Sequence, residues 1–202
     1  MDALTHAVEA FSCLQKNPFS DAYAQVAIQL ISKDLSLSIK DGANKTARYH
    51  LALASTAAGV AFSNSMVGAV HGIGHTVGAI AHVHHGVAMA ILLPHVMRYN
   101  LDELYETYAQ IIPWLSPGIN NNNMTTYQSA EEVIKWVERK NAELHHLCGM
   151  PMYLEDAGVK MSQLEQIAKQ SLNDGAMVAN PKEIDVKDAL DILTSAFRKD
   201  EE

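Results

Sequence analysis

Residues 68–88 read GAVHGIGHTVGAIAHVHHGVA and hold five of the ten histidines in the chain. His71 and His75 are four residues apart in a run of Gly, Ala and Val, so a helix over this segment places both on one face. His82, His84 and His85 follow, and Gly86 marks a turn before the next apolar run. A second pair at the same spacing stands at the start of the chain, Asp2 and His6 in MDALTHAVEA. A lone histidine on an apolar helix is most often an ordinary hydrogen-bonded side chain. Five in one stretch are different, because buried imidazoles with nothing between them leave lone pairs unmet and make protonation costly. A cation removes both problems. One carboxylate and several imidazoles on apolar helices are the ingredients of a divalent metal site.

The same stretch is rich in glycine. Gly68, Gly72, Gly74 and Gly78 each cost a helix about 1 kcal/mol relative to Ala. Close backbone approach by a substrate, a cofactor or another helix offsets such a cost. Tight helix packing alone is the alternative reading.

Working outward, the chain reads as helices throughout. Residues 2 to about 14 form the first, ended by Asn17-Pro18. Ser20 or Asp21 caps a second, in which Ala24, Ile28, Ile31, Leu35 and Ile39 are spaced for a buried stripe, and Gly42 closes it. A third runs from Lys45 to about Phe62, and the histidine helix ends near Ile80. Gly86 opens the segment VAMAILLPHVMRYN, which Pro94 kinks or splits, and a further helix covers Leu101 to Ile112. Residues 113–128 carry Pro113, Pro117, Gly118 and four consecutive Asn, which predicts a loop. Ser129 with Glu132, and Ser162 with Glu165, read as capping boxes for two later helices, and Asp185 as the cap of the last. His145 and His146 have no acidic partner at ligand spacing and are assigned to the surface, Trp136 to the core, and Asp200 to Glu202 to a solvated tail. With no alternating Val, Ile or Thr pattern, the predicted fold class is all-α, a helical bundle forming a single helical metal-binding domain over residues 1–202.

Composition narrows the function. A formal net charge of −8 disfavours nucleic acid and anionic membrane as partners. The longest apolar run, Val87 to Pro94, is far too short to span a bilayer. The two cysteines, Cys13 and Cys148, with no secretory signal ahead of them, predict reduced thiols and a cytoplasmic protein.

The run from Gly68 to Ala88 resembles the signature of the iron-containing (group III) alcohol dehydrogenases. DALTHAVEAF, from Asp2, resembles that family's other ligand segment. Ser20-Asp21-Ala22 after Asn17-Pro18, ASTAAGVAFSN from Ala54 to Asn64, AILLPHVMRYN from Ala90 to Asn100, and Asn180-Pro181 extend the likeness over nearly all 202 residues. The resemblance implies the C-terminal, helical, metal-binding half of such an enzyme, in the dehydroquinate synthase-like fold, without the N-terminal α/β domain that holds the nucleotide. A ligand at position 2 likewise suggests that something preceded it in a parent protein.

The resemblance places the metal ligands on Asp2, His6, His71 and His85, and a histidine of the active site on His75. His82 and His84 match no ligand position. It also implies Fe(II), with Zn(II) as the alternative, NAD(P) held through the missing domain, and a small alcohol or aldehyde as substrate. Three imidazoles and a carboxylate suit Fe(II), Zn, Co or Ni rather than Mg or Ca. No G-x-G-x-x-G follows a strand; Gly72, Gly74 and Gly78 have the wrong spacing. The expected activity is the interconversion of alcohol and aldehyde or ketone by hydride transfer to nicotinamide, absent from this chain alone. Self-association into a homo-oligomer is expected if an apolar face is left uncovered. A glycerol dehydrogenase-like or dehydroquinate synthase-like enzyme, and a non-catalytic helical interaction module with a vestigial site, are the rival readings. Metal occupancy is expected to fall as pH drops through about 6, where free imidazole protonates.

Overall fold

A computed structural model describes residues 1–116 and 118–198. Pro117 and the acidic tail Asp200 to Glu202 lie outside the described residues. Among the described residues eight α-helices follow in order: α1 Asp2–Ser12, α2 Pro18–Lys40, α3 Lys45–Ser63, α4 Ala69–Ala81, α5 His85–Ala109, α6 Thr126–Cys148, α7 Leu164–Ser171 and α8 Val186–Ser195. Short 3₁₀ turns at Ile112–Trp114, Met161–Gln163 and Gly175–Ala179 complete them, and among the described residues there is no strand. Among the described residues no helix is long and apolar enough to cross a membrane.

Helix α5 forms the centre because residues 88–94 of its first half are buried on every side, and Val96 and Met97 continue the buried face. It packs against α1, α4, α6 and α8. Helices α2 and α3 form a hairpin rich in small buried side chains, Ala24 and Ala27 on α2 and Ala54, Ala58 and Ala61 on α3, and α1 lies against both. Helix α1 buries Leu4, Ala7, Val8 and Phe11 and packs against α5 as well as against α2 and α3.

Several boundaries differ from those expected. Asn17, not Ser20 or Asp21, caps α2: its side chain accepts from the Phe19 and Ser20 amides, while Ser20 Oγ accepts from the Asn17 amide, and Pro18 sits at the first helical position, where its missing N–H costs nothing. Thr125 and Gln128 make the box that starts α6, and Ser129 is buried inside it. Lys160 and Gln163, rather than Ser162 and Glu165, bracket the turn before α7. Asp185 caps α8 as expected, paired with Asp188. Trp136 is buried, His145 and His146 are exposed, and Cys13 and Cys148 are both free thiols.

The largest difference is at Pro94, which neither splits nor ends its helix: α5 starts at His85 and runs on to Ala109. Pro94 has no N–H to give the carbonyl of Ala90, four residues back. The Asn141 side-chain amide of α6 donates to that carbonyl at 2.6 Å instead. A helix interrupted in its own ladder is thus completed by a neighbour. Asn141→Leu is expected to lower stability by about 1–3 kcal/mol, the cost of a buried carbonyl left without a donor. A shift of the urea midpoint measures it, and an unchanged midpoint would show that the carbonyl finds another donor.

The glycines of α4 answer to packing. A Cβ on Gly72 would lie 2.4 Å from Met177 Sδ, and one on Gly74 would lie 1.9 Å from Met89 Cε. Close approach by the 3₁₀ turn at Gly175–Ala179 and by α5 accounts for both.

Candidate metal centre and active site

The first turn of α1 carries Asp2 and His6 on one face, α4 carries His71 and His75, and His85 is the first residue of α5. Between α4 and α5 the chain reverses at His82, whose φ of 57° puts it in the left-handed conformation at the C-cap. Only Val83 and His84 separate that cap from His85, so the start of α5 turns back alongside α4.

These five side chains converge. Asp2 Oδ1 lies 3.2 Å from His85 Nε2, 3.6 Å from His6 Nδ1 and 3.8 Å from His71 Nε2. One ligand atom each from Asp2, His6 and His71 fall within 4.8 Å of one another, a spacing that a single metal ion can bridge. The ring of His71 is 4.2 Å from that of His6, 5.5 Å from that of His85 and 5.6 Å from that of His75, and His75 stacks on His85 at 5.4 Å. His71 forms the floor, with 2% of its side chain exposed, while Asp2, His75 and His85 stand at the mouth, each more than two-fifths exposed. Phe62 of α3 stacks on His6 and closes that side.

The electrostatics suit a cation. Asp2 Oδ1 and His71 Nε2 are both buried and neither has a hydrogen-bond partner. Two acceptor-capable atoms facing each other without a donor between them is a costly arrangement unless a positive ion joins them. Burial pushes His6 down to about 4, with His71 acting in the same direction against Asp2 and Glu9. Burial also lowers His85. Both are therefore neutral, with lone pairs available, at neutral pH. The donor set of imidazoles and one carboxylate fits Fe(II) or Zn(II).

His82 and His84 are exposed and stand outside this group. Two carboxylates that the sequence did not single out belong to its surroundings. Glu9 accepts from the Val70 amide at 2.7 Å through Oε1 and pairs with His71 Nδ1 through Oε2. Asp174 Oδ2 pairs with His75 Nδ1 at 2.9 Å, while its other oxygen caps the turn at Gly175–Ala179. Glu9 had a local signal, standing three residues after His6 on the same face of α1. Asp174 had none, being 99 residues from its partner.

A family sequence model described as "Fe-containing alcohol dehydrogenase family, C-terminal" matches residues 1–197. The chain belongs to the iron-containing alcohol dehydrogenase family. Within that family it is 40% identical over 197 residues to a 1,3-propanediol dehydrogenase of Citrobacter freundii, covering 98% of this chain and 49% of the relative. It is 35% identical to an NAD-dependent methanol dehydrogenase of Bacillus methanolicus, covering 98% of this chain and 50% of the relative. The crystal structure of a 1,3-propanediol oxidoreductase superposes with a TM-score of 0.92 at 38% identity, covering 98% of this chain and 50% of that one. The chain therefore has the fold of the C-terminal part of an iron-containing alcohol dehydrogenase and spans about half the length of the curated relatives it matches.

Proposed function

We propose that the chain is the metal-binding, catalytic half of an NAD(P)-dependent alcohol dehydrogenase, one helical metal-binding domain that acts on a small alcohol or its aldehyde or ketone. The observation that carries this reading is the pair of buried, unpartnered atoms Asp2 Oδ1 and His71 Nε2, which converge with His6 and His85. Asp2, His6, His71 and His85 would hold Fe(II), or Zn(II) as the alternative. When bound, that ion supplies Lewis-acid polarisation of an alcohol or carbonyl oxygen.

The chain's own side chains do the rest. His75, at the mouth, is anchored through Nδ1 by Asp174, which leaves Nε2 to take up or return the alcohol proton. The floor of His71 and His6, closed by Phe62, keeps water from one side of the cleft. A bound nicotinamide would supply the hydride acceptor or donor for the substrate carbon, and the name of the methanol dehydrogenase relative supports NAD as the coenzyme class. The described residues carry no strand and hence no strand-turn-helix cradle for a dinucleotide. The coenzyme is accordingly assigned to a nucleotide-binding half equivalent to the part of the relatives that this chain does not span.

The 202-residue chain is thus expected to bind metal without oxidising alcohol. Elemental analysis after purification, followed by titration with NAD(H), tests this. Metal without nucleotide binding supports the reading, and absence of both would favour a non-catalytic helical module. His82→Ala, at an exposed residue, is expected to leave metal content unchanged. Since burial holds His6 at about 4 and also lowers His85, loss of metal on acidification, read by elemental analysis, is expected at a lower pH than the value of about 6 that free imidazoles would give.

A further inference from the structure

We infer that Glu9 is a positioning residue for the metal centre, holding the ring of His71 in the tautomer whose bare Nε2 faces Asp2 and His6. The inference rests on the metal-binding reading above and deepens it.

Glu9 shares a face of α1 with Asp2 and His6, but it reaches away from the cleft into the interior and is 5% exposed. Each of its oxygens has its own task. Oε1 accepts the Val70 amide in the first turn of α4, where backbone N–H groups have no acceptor within the helix. The residue that would ordinarily supply one, the N-cap, is Gly68, which has no side chain. A Cβ there would come to 3.1 Å from both Glu9 Oε1 and Asn180 Oδ1, so any other residue would crowd the two side chains that take its place as cap. The N-terminus of α4 is thus capped from outside, by Glu9 on α1 and by Asn180, whose Oδ1 accepts the Ala69 amide.

Oε2 of Glu9 faces His71 Nδ1. An ionised carboxylate can only accept, so the ring nitrogen facing it carries the hydrogen. In a neutral imidazole the other nitrogen is then bare. That other nitrogen is Nε2, the buried atom without a partner, 3.8 Å from Asp2 Oδ1. One side chain therefore fixes both where α4 begins and which nitrogen of His71 presents its lone pair to the cleft.

Glutamine distinguishes this role from simple bracing of two helices. Its amide has one acceptor and one donor, whereas Val70 N–H and His71 Nδ1–H both need acceptors. If the amide oxygen stays with Val70, the NH₂ group faces Nδ1 and favours the tautomer with hydrogen on Nε2, the nitrogen required for the metal.

The test is nitrogen-15 NMR of the metal-free full chain with labelled histidine, the His71 signals being assigned by their loss in His71→Asn. Zn(II) affinity is measured alongside by competition with a chromogenic chelator. Wild type is expected to carry hydrogen on Nδ1 of His71. Glu9→Gln is expected to shift it to Nε2 and to bind Zn(II) about 10- to 100-fold more weakly. Hydrogen on Nε2 in the wild-type protein would overturn the inference without any variant, so failure of the Glu9→Gln chain to fold leaves it testable. Wild type binding Zn(II), with Glu9→Gln matching it in both tautomer and affinity, would also overturn it. Wild type binding no Zn(II) would instead overturn the metal-centre reading on which the inference stands.

Discussion

His71→Ala is expected to abolish metal binding and also to lower the stability of the metal-free protein by about 3 kcal/mol. The two losses have different causes. The first follows from removing the ring that forms the floor of the cleft, whose Nε2 faces Asp2, His6 and His85. The second comes from the other side of the ring, where the buried carboxylate of Glu9 loses its partner and keeps only the Val70 amide. A buried charge stripped of one of its hydrogen bonds costs more than the pair contributed while intact. Urea unfolding of metal-free wild type and variant measures the second loss, and elemental analysis the first. The double variant Glu9→Gln with His71→Ala is expected to unfold at a higher urea concentration than His71→Ala alone, since a neutral amide can serve Val70 without a stranded charge. Simple additivity of the two substitutions would refute that account, because residues in contact are expected to couple.

Acid should unfold the metal-free protein in a defined window. His6 in the cleft and His95 on α5 are each pushed down to about 4, in both cases chiefly by burial, and His95 pairs with Ser195 Oγ of α8 at 3.0 Å. Around His95, Glu138 acts to raise its value and Arg98 to lower it, so burial decides the outcome. Between about 6.5 and 4 the unfolded chain binds a proton at each histidine that the folded chain refuses. Stability therefore rises with pH across this window and is lost as pH falls through it, up to about 3 kcal/mol per group. Glu143, held at about 2 by Lys140 and Ser36, contributes its own loss only in more acid solution, below its ordinary value of 4.5. The urea midpoint is expected to drop steeply from about pH 7 to about pH 4.5, and His95→Gln, lacking one of the two groups, should show a shallower fall. A midpoint indifferent to pH over that range would mean that neither histidine is neutral because of the fold.

Much of this molecule can be read along the chain because helices are local. The apolar spacing of Leu4, Ala7, Val8 and Phe11, or of Ala24, Ile28 and Ile31, belongs to residues within two turns of one another, and each set is buried as its spacing requires. The convergence of Asp2, His6, His71 and His85 was anticipated through likeness to a family. Helical spacing alone paired only Asp2 with His6 and His71 with His75, and it could not say that the two pairs meet. Cap positions slipped by three or four residues at Asn17 and Thr125 because several polar residues in a row can serve, and the choice depends on where the neighbouring helix fixes the chain.

What the amino-acid order determined by itself is the set of helices and their buried faces, since each rests on contacts between residues a few positions apart. Only the tertiary structure decided that α5 runs through Pro94, because the donor that completes its ladder, Asn141, lies on α6. The folded chain likewise decided that Glu9 serves α4 and His71, and that Asp174 holds His75. These partners lie many residues apart in the chain, and a hydrogen bond depends on distance and direction in space, which sequence spacing does not encode beyond a few turns of helix.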